Sequence, residues 1–172
     1  MSSDARVDSM VIQGIPEAEL EARRVPNDTV WLGPEVSDAT AERILERSAG
    51  FTHVLASAFV KVGAFRGSAD MSEAHAALLA ALVAAGRKVI VVSYGSPYLL
   101  RQFPDVPAYV CSYGWVETSQ RAAVSALFGE HPVTGRLPVT LPGLYAYGHG
   151  LQIPKRDMTL RTARPEDVGF QT

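Results

Sequence analysis

The chain has 172 residues, of which 47% are hydrophobic and 20% are charged, so it is long enough for one domain with a real core and too short for two ordinary ones. A formal net charge of -2 argues against a nucleic-acid partner, because binding to phosphates needs a basic face. The single cysteine, Cys111, excludes an internal disulfide framework and a zinc site built from several cysteines. We expect this thiol to pack as a small hydrophobic side chain in a strand.

The sequence predicts neither a targeting segment nor a membrane-spanning segment. The first residues, MSSDARVDSM, hold no apolar core of the length that a signal peptide requires. The longest apolar run, AHAALLAALVAAG, is about 13 residues long and too short to span a bilayer. As written, the chain is therefore expected to be cytoplasmic and to have no membrane partner.

Secondary-structure patterns are weak in residues 1–27 and clearer from Asp28 onward. Residues 1–27 are weakly patterned, although PEAELEARR favours a short charged helix. The run DTVWLGP, which starts at Asp28, predicts a short β-strand ended by a Gly-Pro pair. SDATAERILERSAG then predicts a helix with Ser37 or Asp38 as the N-cap and Gly50 as the terminator.

The middle of the chain alternates strand and helix patterns. THVLASAFV predicts a strand buried on both faces, and the next helix should begin with Asp70 and Glu73 at capping-box spacing and stop at Gly86. KVIVVSYG predicts a central parallel strand, and SPYLLRQFP a brief helical turn with Pro97 in its first position. PAYVCSYG predicts another strand, and VETSQRAAVSALFG a helix closed by Gly129.

This alternation predicts an α/β fold: an open, mostly parallel sheet with helices on both faces, a three-layer sandwich. GRLPVTLP follows the last helix and places strand-forming residues between Pro138 and Pro142. Because proline cannot donate to a sheet ladder, we predict a short, proline-flanked edge strand near the C-terminus.

Two stretches carry a resemblance to a known family. They are AALVAAGRKVIVVSYGSPYLLRQFPDVPAYVCSYG and SQRAAVSALFGEHPVTGRLPVTLPGLYAYGHGL, and together they resemble the C-terminal domain of glycoside hydrolase family 3, in particular its β-N-acetylhexosaminidase-like and β-glucosidase-like members. The most specific pieces are ALFGEHPVTGRLPVTLPG and YGHGL. We therefore predict three parts: an N-terminal segment over 1–27, the family 3 domain over 28–151, and a tail or linker over 152–172.

The resemblance implies a role beside a catalytic partner. In that family a separate (β/α)8 barrel supplies the aspartate nucleophile, and this chain contains no such barrel, so no catalytic residue is assigned and its status as an enzyme stays open. The implied function is an accessory or substrate-side domain of a glycosidase that hydrolyses β-glycosides such as β-N-acetylglucosaminides, with no cofactor. The implied partners are the barrel, in the same polypeptide or a separate chain, and carbohydrate. An exposed docking face could also lead to self-association.

Candidate site residues follow from the predicted sheet. In open α/β sheets, ligands bind outside the carboxyl ends of the parallel strands. Aromatic faces and hydrogen-bond donors in those loops suit a sugar, and the same loops could face a barrel. The candidates for substrate binding or barrel contact are Lys61, Arg66, Ser93, Tyr94, Ser96, Tyr113, Trp115 and Glu117. The four histidines show no ligand spacing, so no metal site is expected.

Two alternatives to the accessory domain stay open. One is a small self-sufficient glycosidase that uses carboxylates such as Glu117 or Asp105, although Glu117 and Glu130 lie at or just after predicted helix ends, where solvated or capping roles are expected. The other is a free-standing carbohydrate-binding module that uses Tyr94, Tyr113 and Trp115.

Overall fold

Helices and strands alternate through most of the chain, as the sequence predicts. The structure is a computed structural model, and it describes residues 14–33, 35–60 and 70–156. Its elements, in chain order, are helix α1 (Gly14–Ala22), helix α2 (Asp38–Ser48), strand β1 (His53–Ala58), helix α3 (Glu73–Ala84), strand β2 (Lys88–Ser93), the 3-10 helix η1 (Pro97–Gln102), strand β3 (Ala108–Cys111) and helix α4 (Glu117–Leu127).

The three strands form a parallel sheet in the order β1-β2-β3. Leu55 of β1 lies opposite Ile90 of β2, which in turn lies opposite Ala108 of β3. The central strand β2 is the run KVIVVS, nearly all of it apolar. A strand with neighbours on both sides and helices on both faces needs apolar residues at almost every position. The predicted central parallel strand is confirmed.

Side chains that alternate along β2 enter two separate apolar layers. Val89 and Val91 belong to a large cluster with the leucines of α3, whereas Val92 belongs to a second cluster with Ala123 of α4. Because successive strand residues point to opposite faces, the two clusters lie on opposite sides of the sheet. The predicted α/β fold with helices on both faces is therefore confirmed.

The run DTVWLGP does not form the predicted strand. Residues 28–33 have no regular secondary structure and belong to no ladder in the described part of the chain. Leu32 is buried in the large core cluster and Val30 packs against it. The apolar pattern that suggested a strand thus reflects side chains that dock on the core without backbone pairing.

Helix α3 begins two residues later than the predicted cap. Ser72 rather than Asp70 is its N-cap, and His75 takes the third helical position, where its Nδ1 lies 2.5 Å from Ser72 Oγ. A serine-histidine pair therefore occupies the place of the predicted aspartate-glutamate capping box, because this register buries His75 and leaves Asp70 exposed. The predicted stops at Gly86 and Gly129 are confirmed, with φ of +74° and +68°.

The segment after α4 folds into an irregular hairpin instead of joining the sheet. Residues 133–141, the inner limb, run antiparallel to residues 145–153, the outer limb, with bridges from Val133 to Ile153 and from Leu141 to Tyr145. The prediction that this segment pairs with the edge of the sheet is therefore wrong, because it pairs with residues 145–153 instead. The prolines that flank it each lack an N–H, so a continuous ladder to the sheet is not available. Leu141 instead anchors the hairpin in the core.

Helix α1 packs on α4 through charged groups, which adds an outer layer to that side. Arg23 donates to both carboxylate oxygens of Glu130, each at 2.7 Å, and to Glu19 at 2.5 Å. Its guanidinium also lies over the ring of Phe128, 5.4 Å from the centroid. The bonds from Arg23 hold the pKa of Glu130 down at about 2. Glu130 thus ties the N-terminal segment to the domain.

Arg23→Met should destabilise the fold by about 1.5 kcal/mol, the low end for hydrogen bonds to charged groups, since Arg23 is partly buried but Glu130 is partly exposed to solvent. The methionine keeps the length of the side chain but leaves Glu130 and Glu19 without their shared partner. Urea unfolding followed by circular dichroism would measure the loss. Arg47→Met is the matched control, since its ion pair with Asp28 is exposed and should contribute little. Equal midpoints for the two variants would contradict the prediction.

Candidate functional site

The loops that follow β2 and β3 lie side by side at the carboxyl edge of the sheet. Ser112 N donates to Ser93 O at 2.9 Å, which continues the pairing of the two strands past their ends. On the β2 side, Ser96 caps η1 by accepting a bond from Tyr98 N at 3.2 Å. The sequence predicted this edge as the site because ligands of such sheets bind there.

Two of the predicted site residues, Ser93 and Tyr94, are buried beneath this edge. Ser93 Oγ donates to Ser96 O at 3.1 Å, and the Tyr94 ring stacks on Phe59 with centroids 4.5 Å apart. Burial raises the pKa of Tyr94 to about 12. In this arrangement both side chains shape the loops from inside and present no group to a ligand at the surface.

The main chain after β2 packs against β3 on one side and against the segment that follows β1 on the other. Tyr109 donates its hydroxyl to Ser96 O at 3.2 Å, and Cys111 Sγ lies 3.5 Å from Gly95 O. A Cβ at Gly95 would lie 2.8 Å from Val60 O, so only glycine allows this approach. Burial raises the pKa of the Cys111 thiol to about 11, which keeps it protonated and poorly nucleophilic at neutral pH. The thiol packs in β3, as the sequence predicted.

The loop from β3 to α4 carries the exposed part of the site. Tyr113 has a φ of +57°, a left-handed conformation that costs a non-glycine residue about 1 kcal/mol. Its side chain is 48% exposed and that of Trp115 is 54% exposed. Gln120, which is buried, donates from Nε2 to Trp115 O at 2.8 Å, and Ser112 Oγ donates to Gly114 O at 2.8 Å. The loop is held from below while its aromatic rings face outward.

Glu117 opens α4 directly after this loop and is already paired. Its Oε1 accepts bonds from Arg121 at 2.7 and 2.9 Å, and Arg121 also bonds Glu19 of α1. The bonds from Arg23, with a further contribution from Arg121, lower the pKa of Glu19. The site therefore offers exposed aromatic rings more readily than a free carboxyl group. The other two predicted site residues, Lys61 and Arg66, lie outside the described residues.

Sequence reasoning missed two residues of this region. Tyr98 is exposed on η1, beside Pro97, and could have been found from its place in the loop after β2. Gln120 gave no signal, because a glutamine on a helix is ordinarily a surface residue. In the described part of the chain, no three histidine, cysteine, aspartate or glutamate side chains are grouped in a way that could hold a metal ion.

Comparison with known proteins identifies the domain. Residues 54–167, more than half of the chain, match the family model of the glycosyl hydrolase family 3 C-terminal domain. This confirms the resemblance at the level of the family, and the match includes all three strands except the first residue of β1. The search of curated proteins found no match. Among the helices of the described residues, none has both the length and the apolar character needed to cross a membrane.

Proposed function

Because the chain belongs to the family of C-terminal domains of glycosyl hydrolase family 3, we propose that it is an accessory domain that acts beside a family 3 catalytic barrel. The barrel belongs to the same parent polypeptide or to a separate chain. The complete enzyme hydrolyses β-glycosides, and among these we propose β-N-acetylglucosaminides, since the sequence resembles the hexosaminidase-like members as well as the β-glucosidase-like ones. The domain lines part of the substrate-binding side of the enzyme, and the barrel cleaves the glycosidic bond.

The observation that carries this proposal is the loop from Ser112 to Val116. Its two exposed rings, Tyr113 and Trp115, lie at the carboxyl edge of the sheet, where ligands of open α/β sheets bind. Aromatic faces provide apolar area with little conformational freedom to lose. The strain at Tyr113 and the anchoring bond from Gln120 to Trp115 support a loop held in shape for contact with a sugar or with the barrel.

The paired carboxylates at the start of α4 and on α1 do not suit a self-sufficient glycosidase. A retaining enzyme needs two carboxyl groups about 5 Å apart across a cleft, one of them protonated so that it can act as the acid. Glu117 and Glu19 both bond Arg121 on the outside of two helices. Glu19 has a lowered pKa, the opposite of what a general acid requires.

Trp115→Ala should abolish most of the effect of the chain on a family 3 barrel. The assay is hydrolysis of aryl β-N-acetylglucosaminide and aryl β-glucoside by the purified barrel, with and without the added chain. We expect no hydrolysis by the chain alone, a changed kcat/KM on mixing, and a roughly tenfold weaker apparent affinity for the variant, equivalent to about 1.4 kcal/mol. Trp31→Ala is the matched control, since Trp31 is 53% exposed but lies far from this loop in the sequence.

Each other outcome favours a different function. Hydrolysis by the chain alone would establish a self-sufficient glycosidase, and Glu117→Gln would then be the first variant to make. Binding of the sugar by the chain, lost in Trp115→Ala and without any effect on the barrel, would establish a carbohydrate-binding module. An unchanged barrel with no sugar binding would contradict the proposed function. A concentration-dependent mass in ultracentrifugation would identify the self-association that an uncovered docking face allows.

A further inference from the structure

The C-terminal hairpin has a core side and a solvent side. Leu141 on the inner limb is buried, and Leu137 and Val139 pack against the same core cluster. The outer limb is different, since Tyr147 is 73% exposed and Leu151 is 69% exposed. With Tyr145 and Ile153, which are also exposed, these residues form what we call the docking ridge. Four exposed large apolar side chains within residues 145–153 exceed the scattered exposure that soluble proteins ordinarily show.

The docking ridge is held in a defined shape. Leu137 N donates to His149 O at 2.7 Å, and Gly148 N donates back to Leu137 O at 2.9 Å. The rings of Tyr145 and His149 stack with centroids 4.2 Å apart. Because these contacts order the limb before any partner arrives, binding through it would lose little conformational entropy.

The charge of the hairpin region indicates the kind of surface that it fits. From residue 131 to 156 the sequence contains no aspartate or glutamate, while Arg136, Lys155 and Arg156 are basic. The whole chain, in contrast, carries a formal net charge of -2. Arg136 reaches the outer limb, where it donates to Gly148 O at 3.1 Å, and Lys155 and Arg156 follow that limb in the sequence. An apolar surface with basic residues beside it is complementary to an apolar patch that has acidic residues beside it.

The aliphatic members of the ridge favour a protein over a sugar. A sugar site combines aromatic rings with several convergent polar groups. Leu151 and Ile153 offer no polar side-chain groups. Tyrosine and arginine, which also occur here, are enriched at protein–protein interfaces. We infer that the docking ridge is the surface through which this domain binds an acidic face of the catalytic barrel. This inference rests on the proposed function and adds the surface and the chemistry of its partner.

The test is the affinity of the chain for a family 3 barrel purified without its own C-terminal domain. Isothermal titration calorimetry would compare the wild type with the double variant Tyr147→Ser, Leu151→Ser. We expect the double variant to weaken Kd by at least about 30-fold, the loss typical of a central interface residue. A rise from 0.05 to 0.5 M NaCl should weaken wild-type binding, because the complementary charges are screened. Phe51→Ser, which removes an exposed ring elsewhere, should bind like the wild type.

The outcomes separate this inference from the proposed function. If the wild type binds the barrel and the double variant binds equally well, the ridge is not the docking surface, while the accessory role stands. If the wild type does not bind the barrel at all, the accessory role fails and the inference fails with it. Binding to vesicles of phosphatidylglycerol and phosphatidylcholine that is lost in the double variant would make the ridge a lipid-binding surface and overturn the inference. Equal urea midpoints for all variants would show that the differences arise at the surface.

Discussion

Replacing Gly150 with alanine is expected to destabilise the protein by roughly 3 kcal/mol. Gly150 lies against the main chain of the inner limb, and a Cβ there would meet the carbonyl oxygen of Gly135 well inside the 3.0 Å that real Cβ atoms keep. The obstacle is backbone, so a rotamer change cannot relieve it. The limbs would have to separate, and Leu141 would lose burial that stabilises the core.

Urea unfolding and hydrogen exchange together would test this expectation. Amides of the inner limb, such as Leu137 N, should exchange much faster in Gly150→Ala, since their bonds to the outer limb are lost. Gly135→Ala is the matched control in the same hairpin, because a Cβ at Gly135 meets nothing within 4 Å. If Gly150→Ala were as stable as Gly135→Ala, the inference that the two limbs pack too closely for a side chain at position 150 would be contradicted. Barrel binding should fall in Gly150→Ala and persist in the control.

Acidification from about pH 7.5 to 5.5 is expected to lower the free energy of unfolding through His75, by at most about 1.4 kcal/mol. The side chain is fully buried at the start of α3, and burial lowers its pKa. The main chain of Gly33 lies near the ring and opposes this shift, but Nε2 makes no hydrogen bond of ordinary geometry. In the unfolded chain the imidazole titrates near 6.5, so below that pH the unfolded state binds more protons. The stability is therefore complete above about pH 6.5 and falls as the pH drops toward the folded pKa.

The pH dependence can be assigned to this residue by comparing two histidine variants. The free energy of unfolding in urea would be measured at both pH values for the wild type, His75→Gln and His53→Gln. His75→Gln should lower the stability at neutral pH, since it disrupts the bond to Ser72, and should remove most of the slope. His53 is exposed, so its variant should keep the wild-type slope. A slope that survives in His75→Gln would show that another group is responsible.

The predictions that succeeded depended on patterns within one element. The run KVIVVS predicted a buried central strand because apolar β-formers at consecutive positions suit few other environments. Gly86 and Gly129 marked the ends of two helices, since both adopt the left-handed conformation that glycine favours. Pro97 marked the start of η1 for a similar local reason.

The predictions that failed depended on partners distant in sequence. Asp70 and Glu73 have the spacing of a capping box, but the helix register is set by which side chains reach the core, and that register buries His75. Ser93 ends β2 and Tyr94 follows it, where site residues often lie, and both side chains are buried. Their role in the site stays a prediction. Neither the helix register nor this burial could be detected without knowing what lies on the other side of each residue.

The sequence by itself determined the class of the fold, the order of the helices and strands from α2 to α4, and the family, because each of these depends on residue types and spacings along the chain. The tertiary structure alone decided that GRLPVTLP pairs with YAYGHGL and not with the sheet, and that α1 is held on α4 by Arg23. It also decided which of the predicted site residues reach the surface. The physical reason is that backbone pairing, ion pairs and burial are contacts between segments distant in sequence, and several partners are compatible with any one segment until the whole chain is packed.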